Sequence, residues 1–247
     1  MSGEFAKKFH KKTDFSFEIG TLPSNSQYWP KEWKEIKHKS YPRFPRIDLS
    51  RDFLELKKFE DVLLGRHSTR EYDLTKKITL QELSTLLHYS AGIRPTEKNK
   101  EQGIRRFYPS GGARYPLEIY LLIQGVEGLE CGIYHYNIKE HQLEILSAEK
   151  KRIARMLESL YYPWSREAPV SIFTTAVWER NFTKYKDRGY RLVLLDAGHL
   201  GQNLALVATA LGLNSCNSAG FHNQRIEEVL DIEKDDEDTL YLTLIGK

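Results

Sequence analysis

The chain has 247 residues, of which 40% are hydrophobic and 12% aromatic, so it is long and apolar enough to form a full core. Its 37 basic and 34 acidic side chains nearly balance, and the formal net charge of +3 gives no electrostatic reason to expect nucleic-acid binding. Two cysteines, Cys131 and Cys216, fit neither a disulfide framework nor a metal site, and no apolar run has the roughly 20 residues that span a bilayer.

The first fifty residues differ in composition from the rest of the chain. Their prolines and aromatic residues are Phe15, Phe17, Pro23, Tyr28, Trp29, Pro30, Trp33, Tyr41, Pro42, Phe44 and Pro45. Because proline interrupts helices and aromatic rings gain free energy on burial, we predict an extended arm over residues 1–50. We expect it to pack on the domain formed by residues 51–247 or on a second subunit. Since this segment has no apolar core of the kind a signal peptide needs, a cytoplasmic protein without membrane association is expected.

Two helices are predicted next along the chain. The first is expected from about Asp52 to Gly65, and its apolar side chains with approximate 3-4 spacing are Phe53, Leu56, Phe59, Val62 and Leu63. Thr79 and Glu82 form the capping-box pattern that begins the second helix, and Gly92 ends it.

Strands are predicted where β-branched and aromatic residues cluster: Leu117 to Ile123, Gly132 to Asn137, Gln142 to Leu146, Val170 to Val177 and Thr239 to Ile245. The second and third of these form a hairpin that turns near Lys139-Glu140. The longest helix is expected from about Gly189 to Leu211, with Gly212 as its left-handed stop. Because this helix is apolar on more than one face, we expect it to be buried against both a sheet and another subunit.

Two short motifs carry binding chemistry. Arg66-His67-Ser68-Thr69-Arg70 places two guanidiniums, an imidazole and two hydroxyls at the end of a predicted helix, where they suit phosphate oxygens. Pro109-Ser110-Gly111-Gly112 is a turn whose glycines let backbone amides approach a ligand closely. An arginine-rich helix end is by itself more often only solvated. Together, the two motifs indicate a site for a flat, phosphorylated cofactor.

In this order, the two motifs resemble those of the FMN-dependent nitroreductase superfamily, over about residues 55 to 246. Other segments that share the resemblance are Gly132-Ile133-Tyr134-His135-Tyr136, Asp196-Ala197-Gly198-His199-Leu200 and Ser218-Ala219-Gly220-Phe221. Ala113 and Tyr115 stand where many nitroreductases have Asn and Gln, and this version is similar to that of the SagB-type and McbC-type dehydrogenases. The resemblance implies an α+β nitroreductase-like fold: a mixed, mainly antiparallel sheet flanked by helices, with a long central helix at a homodimer interface.

The resemblance also implies roles for individual residues toward FMN. Arg66, His67 and Ser68 would hold the phosphate and ribityl chain, and Arg70 would lie at the pyrimidine edge. The residues expected to contact the ring, from the second subunit, are Pro109, Ser110, Gly111 and Gly112, and the backbone amides expected near flavin N5 and O4 are those of Ala219 and Gly220. Lys247 is the remaining basic candidate for the phosphate, and its role stays open.

Lys184 and Tyr185 resemble the Lys-Tyr pair of McbC-type azoline oxidases. Oxidation of an azoline ring removes a proton as well as a hydride, so it requires a base beside the flavin. A lysine can act as that base only if burial, or the nearby charge of Lys186 or Arg188, lowers its pKa. Tyr185 could relay the proton or polarise the ring. Lys-Tyr is a common dipeptide, and in a highly charged stretch it is usually solvated.

Several other polar residues have simpler interpretations. A lone histidine in an apolar helix, such as His199, is usually hydrogen-bonded packing, and packing is also favoured for Gln202 and Asn203. Cys216 has no partner cysteine for a redox role. The segment Tyr161-Tyr162-Pro163-Trp164 either lines a substrate channel or packs a loop.

The resulting prediction is an FMN-dependent dehydrogenase that oxidises thiazoline or oxazoline rings in a ribosomally synthesised peptide. It would act as a homodimer beside a separate cyclodehydratase, and the arm could bind the sister chain, the cyclodehydratase or the precursor peptide. One alternative is an NAD(P)H-dependent reductase of nitro compounds, quinones or dehydroamino acids. Another is a non-catalytic flavoprotein subunit of a peptide-modifying complex.

Overall fold

The computed structural model of the chain describes residues 3–13, 26–95, 104–233 and 236–247. Three arm residues of the sequence prediction, Phe15, Phe17 and Pro23, lie outside these ranges. In the described part of the chain, no helix combines the length and apolarity needed to cross a membrane.

A seven-stranded sheet forms the centre of the molecule. Its strands are β1 (Arg46–Asp48), β2 (Leu117–Ile123), β3 (Gly132–Asn137), β4 (Gln142–Ser147), β5 (Val170–Val177), β6 (Asn214–Ser218) and β7 (Glu237–Gly246). Their order is β1-β4-β3-β2-β5-β7-β6, and each neighbouring pair is antiparallel. The five predicted strands and the hairpin are confirmed within two residues. β1 and β6 were missed because one is very short and the other is polar.

Helices cover both faces of the sheet. They are α1 (Glu4–Lys12), α2 (Lys31–Lys34), α3 (Phe59–Gly65), α4 (Leu80–Ala91), α5 (Lys150–Glu158), α6 (Glu179–Tyr185), α7 (Gly189–Ala210) and α8 (Asn223–Leu230). The capping box of Thr79 and Glu82 is present at the start of α4, and Gly92 caps its end. The prediction for the longest helix is also confirmed, with Gly212 at a φ of 74° two residues beyond α7.

The predicted helix from Asp52 to Gly65 is wrong in its first half, because α3 begins only at Phe59. The backbone before it bonds to other elements instead of to itself. Leu54 N donates to Thr85 Oγ1 on α4, and Lys57 N donates to the Ala210 carbonyl at the end of α7. Phe53 stacks on His88 with ring centroids 3.8 Å apart. These non-local contacts outweigh a weak helical pattern.

An extended arm was predicted before residue 50, but the described part of this segment is not extended throughout. It contains α1 and α2, and β1 joins the edge of the sheet through its pairing with β4. Trp33 in α2 is tied to the domain because the Arg114 guanidinium donates to its carbonyl at 2.7 Å. Through β1 and α2, this segment is therefore attached to the domain that contains the sheet.

Two apolar cores lie on opposite faces of the sheet, as the alternation of side chains along β2 requires. Leu117, Ile119 and Leu121 belong to the core beneath α4 and α7, whereas Tyr120 and Leu122 belong to the core beneath α5 and α8. All residues of β2 are buried. α7 packs on one face of the sheet through the first of these cores. From there it contacts the segments of the candidate site.

A buried network of charged side chains joins β2, β3 and β4. His135 lies between Glu118 and Glu144, with ring nitrogens 3.1 Å and 2.8 Å from their carboxylate oxygens, and Glu118 also pairs with Arg180 at 2.6 Å. Burial alone would raise the pKa of Glu118, but the charge of Arg180 and the hydrogen bond from His135 hold it at about 2. The pKa of His135 is raised by both carboxylates in spite of burial. No sequence pattern had indicated this network.

Candidate active site

The Arg66–Arg70 segment follows the end of α3, as predicted. Its backbone lies beside β6, because Thr69 N donates to the Ser215 carbonyl at 2.9 Å. Tyr72 secures the segment from behind by donating its hydroxyl to the Thr69 carbonyl at 2.9 Å. His67, Ser68 and Arg70 are exposed, and Arg66 is half-buried. The segment therefore presents two guanidiniums, an imidazole and a hydroxyl to solvent from a fixed backbone.

Arg70 and Gly220 lie near opposite ends of an aromatic pair. The Arg70 guanidinium is 5.8 Å from the ring centroid of Trp164, which stacks on Tyr162 at 5.4 Å. Gly220 packs so closely on Tyr162 that an added Cβ would lie 2.5 Å from its Cε2. The structure thus brings Arg70 and the Ala219-Gly220 segment into one region at the end of β6. The predicted alternatives for Tyr162 and Trp164, channel lining or loop packing, stay open.

The Pro109–Gly112 turn is held by Asp196 of α7. Ser110 Oγ donates to Asp196 Oδ2 at 2.5 Å, and Gly111 N donates to Oδ1 at 3.2 Å. Burial raises the pKa of Asp196 to about 6, although both hydrogen bonds act in the opposite direction. The sequence analysis had assigned no role to this residue. The available signal was a single carboxylate within an apolar stretch of helix, a position where a buried acid needs partners.

The Lys184-Tyr185 pair lies against the same turn. An added Cβ on Gly112, whose φ is +62°, would lie 2.1 Å from the Tyr185 hydroxyl and 3.1 Å from Lys184 Nζ. Only glycine avoids this overlap while adopting the left-handed conformation at little cost. The structure therefore joins the predicted ring-contact turn to the predicted catalytic pair.

Lys184 is 4% exposed, and its Nζ has no hydrogen-bond partner among the described residues. The amine lies 3.2 Å from the ring centroid of Trp29, which comes from the arm. Burial, followed by the positive charge of Arg114, lowers the pKa of Lys184 to about 8. The sequence analysis required that burial or a nearby positive charge lower the pKa of Lys184 if it is to act as a base, and burial does so. The neighbouring charge is that of Arg114 and not that of Lys186 or Arg188, as had been considered.

Three further residues are placed clearly. His199 is exposed on α7, with Nδ1 3.3 Å from the Pro109 carbonyl oxygen, so it borders the turn and does not pack in a core. Asn203 donates to the Ser90 carbonyl, as expected for a packing role. Lys247 Nζ lies 2.9 Å from Glu82 Oε2, and its charge is engaged in that ion pair.

The two groups of site residues contact opposite ends of α7. Gly111 packs on Leu192 near its beginning, whereas Gly65, next to Arg66, packs on Thr209 near its end. Those two contacts are about 25 Å apart along the helix at 1.5 Å per residue. Within one chain, the structure therefore brings Lys184 and Tyr185 to Gly112, and Arg70 to Gly220, but keeps the Arg66 segment away from the turn.

A family profile described as the nitroreductase family matches residues 63–247. The chain belongs to the nitroreductase family. Among its relatives, a nitroreductase of Methanocaldococcus jannaschii is 37% identical over 177 residues, covering 72% of this chain and 86% of that protein. The trifolitoxin-processing protein TfxB of Rhizobium leguminosarum bv. trifolii is 30% identical over 79% of this chain and 55% of that protein. The microcin B17-processing protein McbC of Escherichia coli is 29% identical over 53% of this chain and 50% of that protein.

Solved structures agree with this membership. A nitroreductase structure from Anabaena variabilis has a TM-score of 0.77 at 28% identity, covering 99% of this chain and 47% of that one. The E. coli microcin synthetase McbBCD complex with bound truncated pro-MccB17 has a TM-score of 0.62 at 22% identity, covering 98% of this chain and 91% of that one. A nitroreductase of Exiguobacterium sibiricum in complex with FMN has a TM-score of 0.55 at 16% identity, covering 79% and 90%.

These comparisons confirm the predicted nitroreductase-like fold and the membership of the nitroreductase family, and the similarity to TfxB and McbC supports the McbC-type branch. The chain spans about half the length of TfxB, McbC and the Anabaena protein, although it spans most of the archaeal relative.

Proposed function

We propose that this member of the nitroreductase family is an FMN-dependent dehydrogenase that oxidises thiazoline or oxazoline rings in a ribosomally synthesised peptide. The observation that carries the proposal is Lys184: a buried amine with a lowered pKa, placed against the glycine turn that is expected to contact the flavin. Two relatives named as peptide-processing proteins, TfxB and McbC, support a peptide substrate.

The residues present fit FMN. Arg66, His67 and Ser68 would hold its phosphate and ribityl chain, because they offer exposed cations and donors from a fixed backbone. Arg70 would lie at the pyrimidine edge, and Ala219 would offer its backbone amide. The Gly220 amide donates to Ser218 Oγ at 3.0 Å and would exchange that hydrogen bond for one to the flavin. The bound flavin supplies the hydride acceptor for the reaction.

The chain itself would supply the base. With a pKa of about 8, a useful fraction of Lys184 is neutral near pH 7 and can accept the ring proton that leaves when the azoline becomes an azole. The Tyr185 hydroxyl lies beside the same glycine and would orient the ring or relay the proton. Trp29 lies over the amine and belongs to the surroundings that bury it, and this burial is the main cause of the lowered pKa.

The proposed site needs a second copy of the chain. One flavin cannot contact both the Arg66 segment and the Ser110–Gly112 turn of the same subunit if these lie at opposite ends of α7. A twofold arrangement with antiparallel α7 helices would pair each segment with the partner's turn. The large apolar side chains left exposed on α3 and α7, which such an interface would cover, are Phe59, Leu63, Leu64, Leu194 and Leu195.

The decisive experiment replaces Lys184 by alanine. We expect Lys184→Ala to bind flavin and fold normally but to lose, by about 10²- to 10⁴-fold, the conversion of a thiazoline peptide, measured as a two-dalton mass decrease per ring. Lys186→Ala is the matched control, because Lys186 is exposed two positions away. If Lys184→Ala oxidises the peptide at the parental rate, the lysine is not the base.

A reductase of nitro compounds or quinones is the second candidate, favoured by the similarity to the archaeal nitroreductase over most of its length. Such an enzyme needs no base at Lys184. Anaerobic mixing with NADPH separates the two candidates, because rapid loss of flavin absorbance is expected of the reductase, whereas the dehydrogenase should be reduced by a thiazoline peptide.

A further inference from the structure

A cavity of about 480 Å³ opens beside the Ser110–Gly112 turn. Three arginines line it, Arg94, Arg105 and Arg106, together with the rings of Trp29, Tyr108 and Tyr115. Trp29 is also the ring that covers Lys184 Nζ, so the cavity reaches the neighbourhood of the proposed base. Its lining is cationic and aromatic, and neither the flavin residues nor the Lys-Tyr pair accounts for the arginines.

Arg106 is the distinctive member of this lining. It is 3% exposed, and among the described residues only one of its three nitrogens has a hydrogen-bond partner: Nη1 donates to the Tyr108 hydroxyl and to the Leu117 carbonyl, both at 3.2 Å. The guanidinium carbon also lies 5.2 Å from the ring centroid of Tyr115. Nε and Nη2 have no hydrogen-bond partner in the described part of the chain. These two nitrogens form one edge of the guanidinium, and their parallel N–H groups match the two oxygens of a carboxylate.

Among the described residues, the nearby carboxylates do not satisfy this edge. Asp196 accepts from Ser110 and Gly111, and Glu118 is paired with Arg180 and His135. A buried guanidinium edge without a partner is costly, and proteins tolerate such a group where a ligand completes it. The cavity therefore combines a positive lining with an unfilled pair of donors.

We infer that the Nε–Nη2 edge of Arg106 binds a carboxylate of the substrate beside the flavin-contacting turn. The inference rests on the proposed function, and it adds a substrate class: azoline peptides in which an acidic side chain or the chain terminus lies close to the ring. The aromatic walls of the same cavity would accommodate the flat heterocycle. Arg106 is then a specificity-determining residue, distinct from Lys184, which takes the proton.

The test measures binding to the flavin-loaded protein by calorimetry with 2-phenylthiazole-4-carboxylate and with its neutral carboxamide. We expect the carboxylate to bind roughly 10- to 100-fold more tightly, the range for a hydrogen bond to a charged group. Arg106→Lys should remove this preference, because lysine keeps the charge but lacks the fork. Arg105→Gln removes a charge from the same cavity, and this variant should keep most of the preference for the carboxylate over the carboxamide. An equal loss in both variants would show a general field effect and would overturn the assignment.

Two further measurements show which kind of anion the cavity binds and whether the Nε–Nη2 edge of Arg106 serves the substrate or the cofactor. Tighter binding of inorganic phosphate or NADP⁺ than of the carboxylate would assign the cavity to a dinucleotide and overturn the inference. Loss of flavin absorbance in folded Arg106→Lys would assign the fork to the cofactor, with the same consequence. If that variant does not fold, the carboxylate and carboxamide affinities of the parental protein decide, and equal affinities overturn the inference.

The binding test of Arg106 and the oxidation test of the proposed function can fail independently, because binding is measured without turnover. A parental protein that prefers the carboxylate but never oxidises a thiazoline peptide would contradict only the proposed reaction. One that oxidises the peptide but shows no preference would contradict only the role of Arg106.

Discussion

Gly112 connects the two chemical elements of the candidate site at the residue scale. Its φ of +62° suits glycine, and the space that a side chain would need is occupied by the Tyr185 hydroxyl and Lys184 Nζ. The turn and the Lys184-Tyr185 pair are therefore packed on one another, and a change in either is expected to displace the other.

Substituting Gly112 by alanine is expected to impair both stability and turnover. The left-handed backbone costs an L-residue about 1–2 kcal/mol, and the new Cβ would in addition push Tyr185 away. Gly128→Ala is the matched control, since Gly128 has a φ of +76° and no atom within 4 Å of an added Cβ. Both variants should lose the cost of the left-handed backbone in urea unfolding, and Gly112→Ala should lose more because of the overlap with Tyr185. Only Gly112→Ala should lose most azoline oxidation. Equal activity in the two variants would show that the Tyr185 contact is dispensable.

At the scale of the element, β2, β3 and β4 are joined by side chains as well as by backbone. Glu118, His135 and Glu144 come one from each strand and meet in the buried network. Removing one partner from a buried ionic group leaves the others without compensation.

His135→Gln is expected to destabilise the fold by about 3–5 kcal/mol in denaturant unfolding. His222→Gln should change stability by less than about 0.5 kcal/mol, because His222 is exposed and makes no capping hydrogen bond. A loss of under about 1 kcal/mol for His135→Gln would show that the network contributes little.

The same network predicts a pH dependence of stability. The raised pKa of His135 contributes stability that is complete below its usual value of 6.5 and is lost as the pH rises through the folded value. The lowered pKa of Glu118 contributes stability that is present above its usual value of 4.5 and is lost as the pH falls toward about 2. The stabilisation by the network should therefore be largest between about pH 4.5 and 6.5, and the difference between the parental protein and His135→Gln should be largest there.

At the scale of the whole molecule, the two site segments lie at opposite ends of α7, so the proposed flavin site would require a second subunit. Leu195 is 58% exposed in the second turn of that helix. Leu195→Glu would place a charge in an apolar interface, so we expect monomers in sedimentation velocity and a loss of bound flavin after dialysis. Leu74→Glu, at another exposed leucine, should remain dimeric and yellow. A monomeric parental protein that retains flavin would contradict the two-subunit site.

How much the sequence could predict depended on the range of the interactions involved. The capping box at Thr79, the stop at Gly212 and the five apolar strands are specified by residues close together in the chain, and all were predicted. The start of α3 was not, because the backbone before it bonds to α4 and α7 instead of continuing a helix. β6 was missed because its polar residues pair only in the context of β7.

The sequence by itself determined the nitroreductase fold, through motifs that resemble those of the family, and it contained the two candidate binding motifs and the Lys-Tyr pair, since each of these is a local pattern of residue types. Tertiary structure alone decided that Trp29 and Arg114 lie beside Lys184 and that Asp196 holds the turn. It also decided that one edge of Arg106 is buried with no hydrogen-bond partner among the residues that the structure describes. These features depend on burial and on charges brought together from distant parts of the chain. Desolvation and Coulomb interactions act through space, so the order of residues does not reveal them.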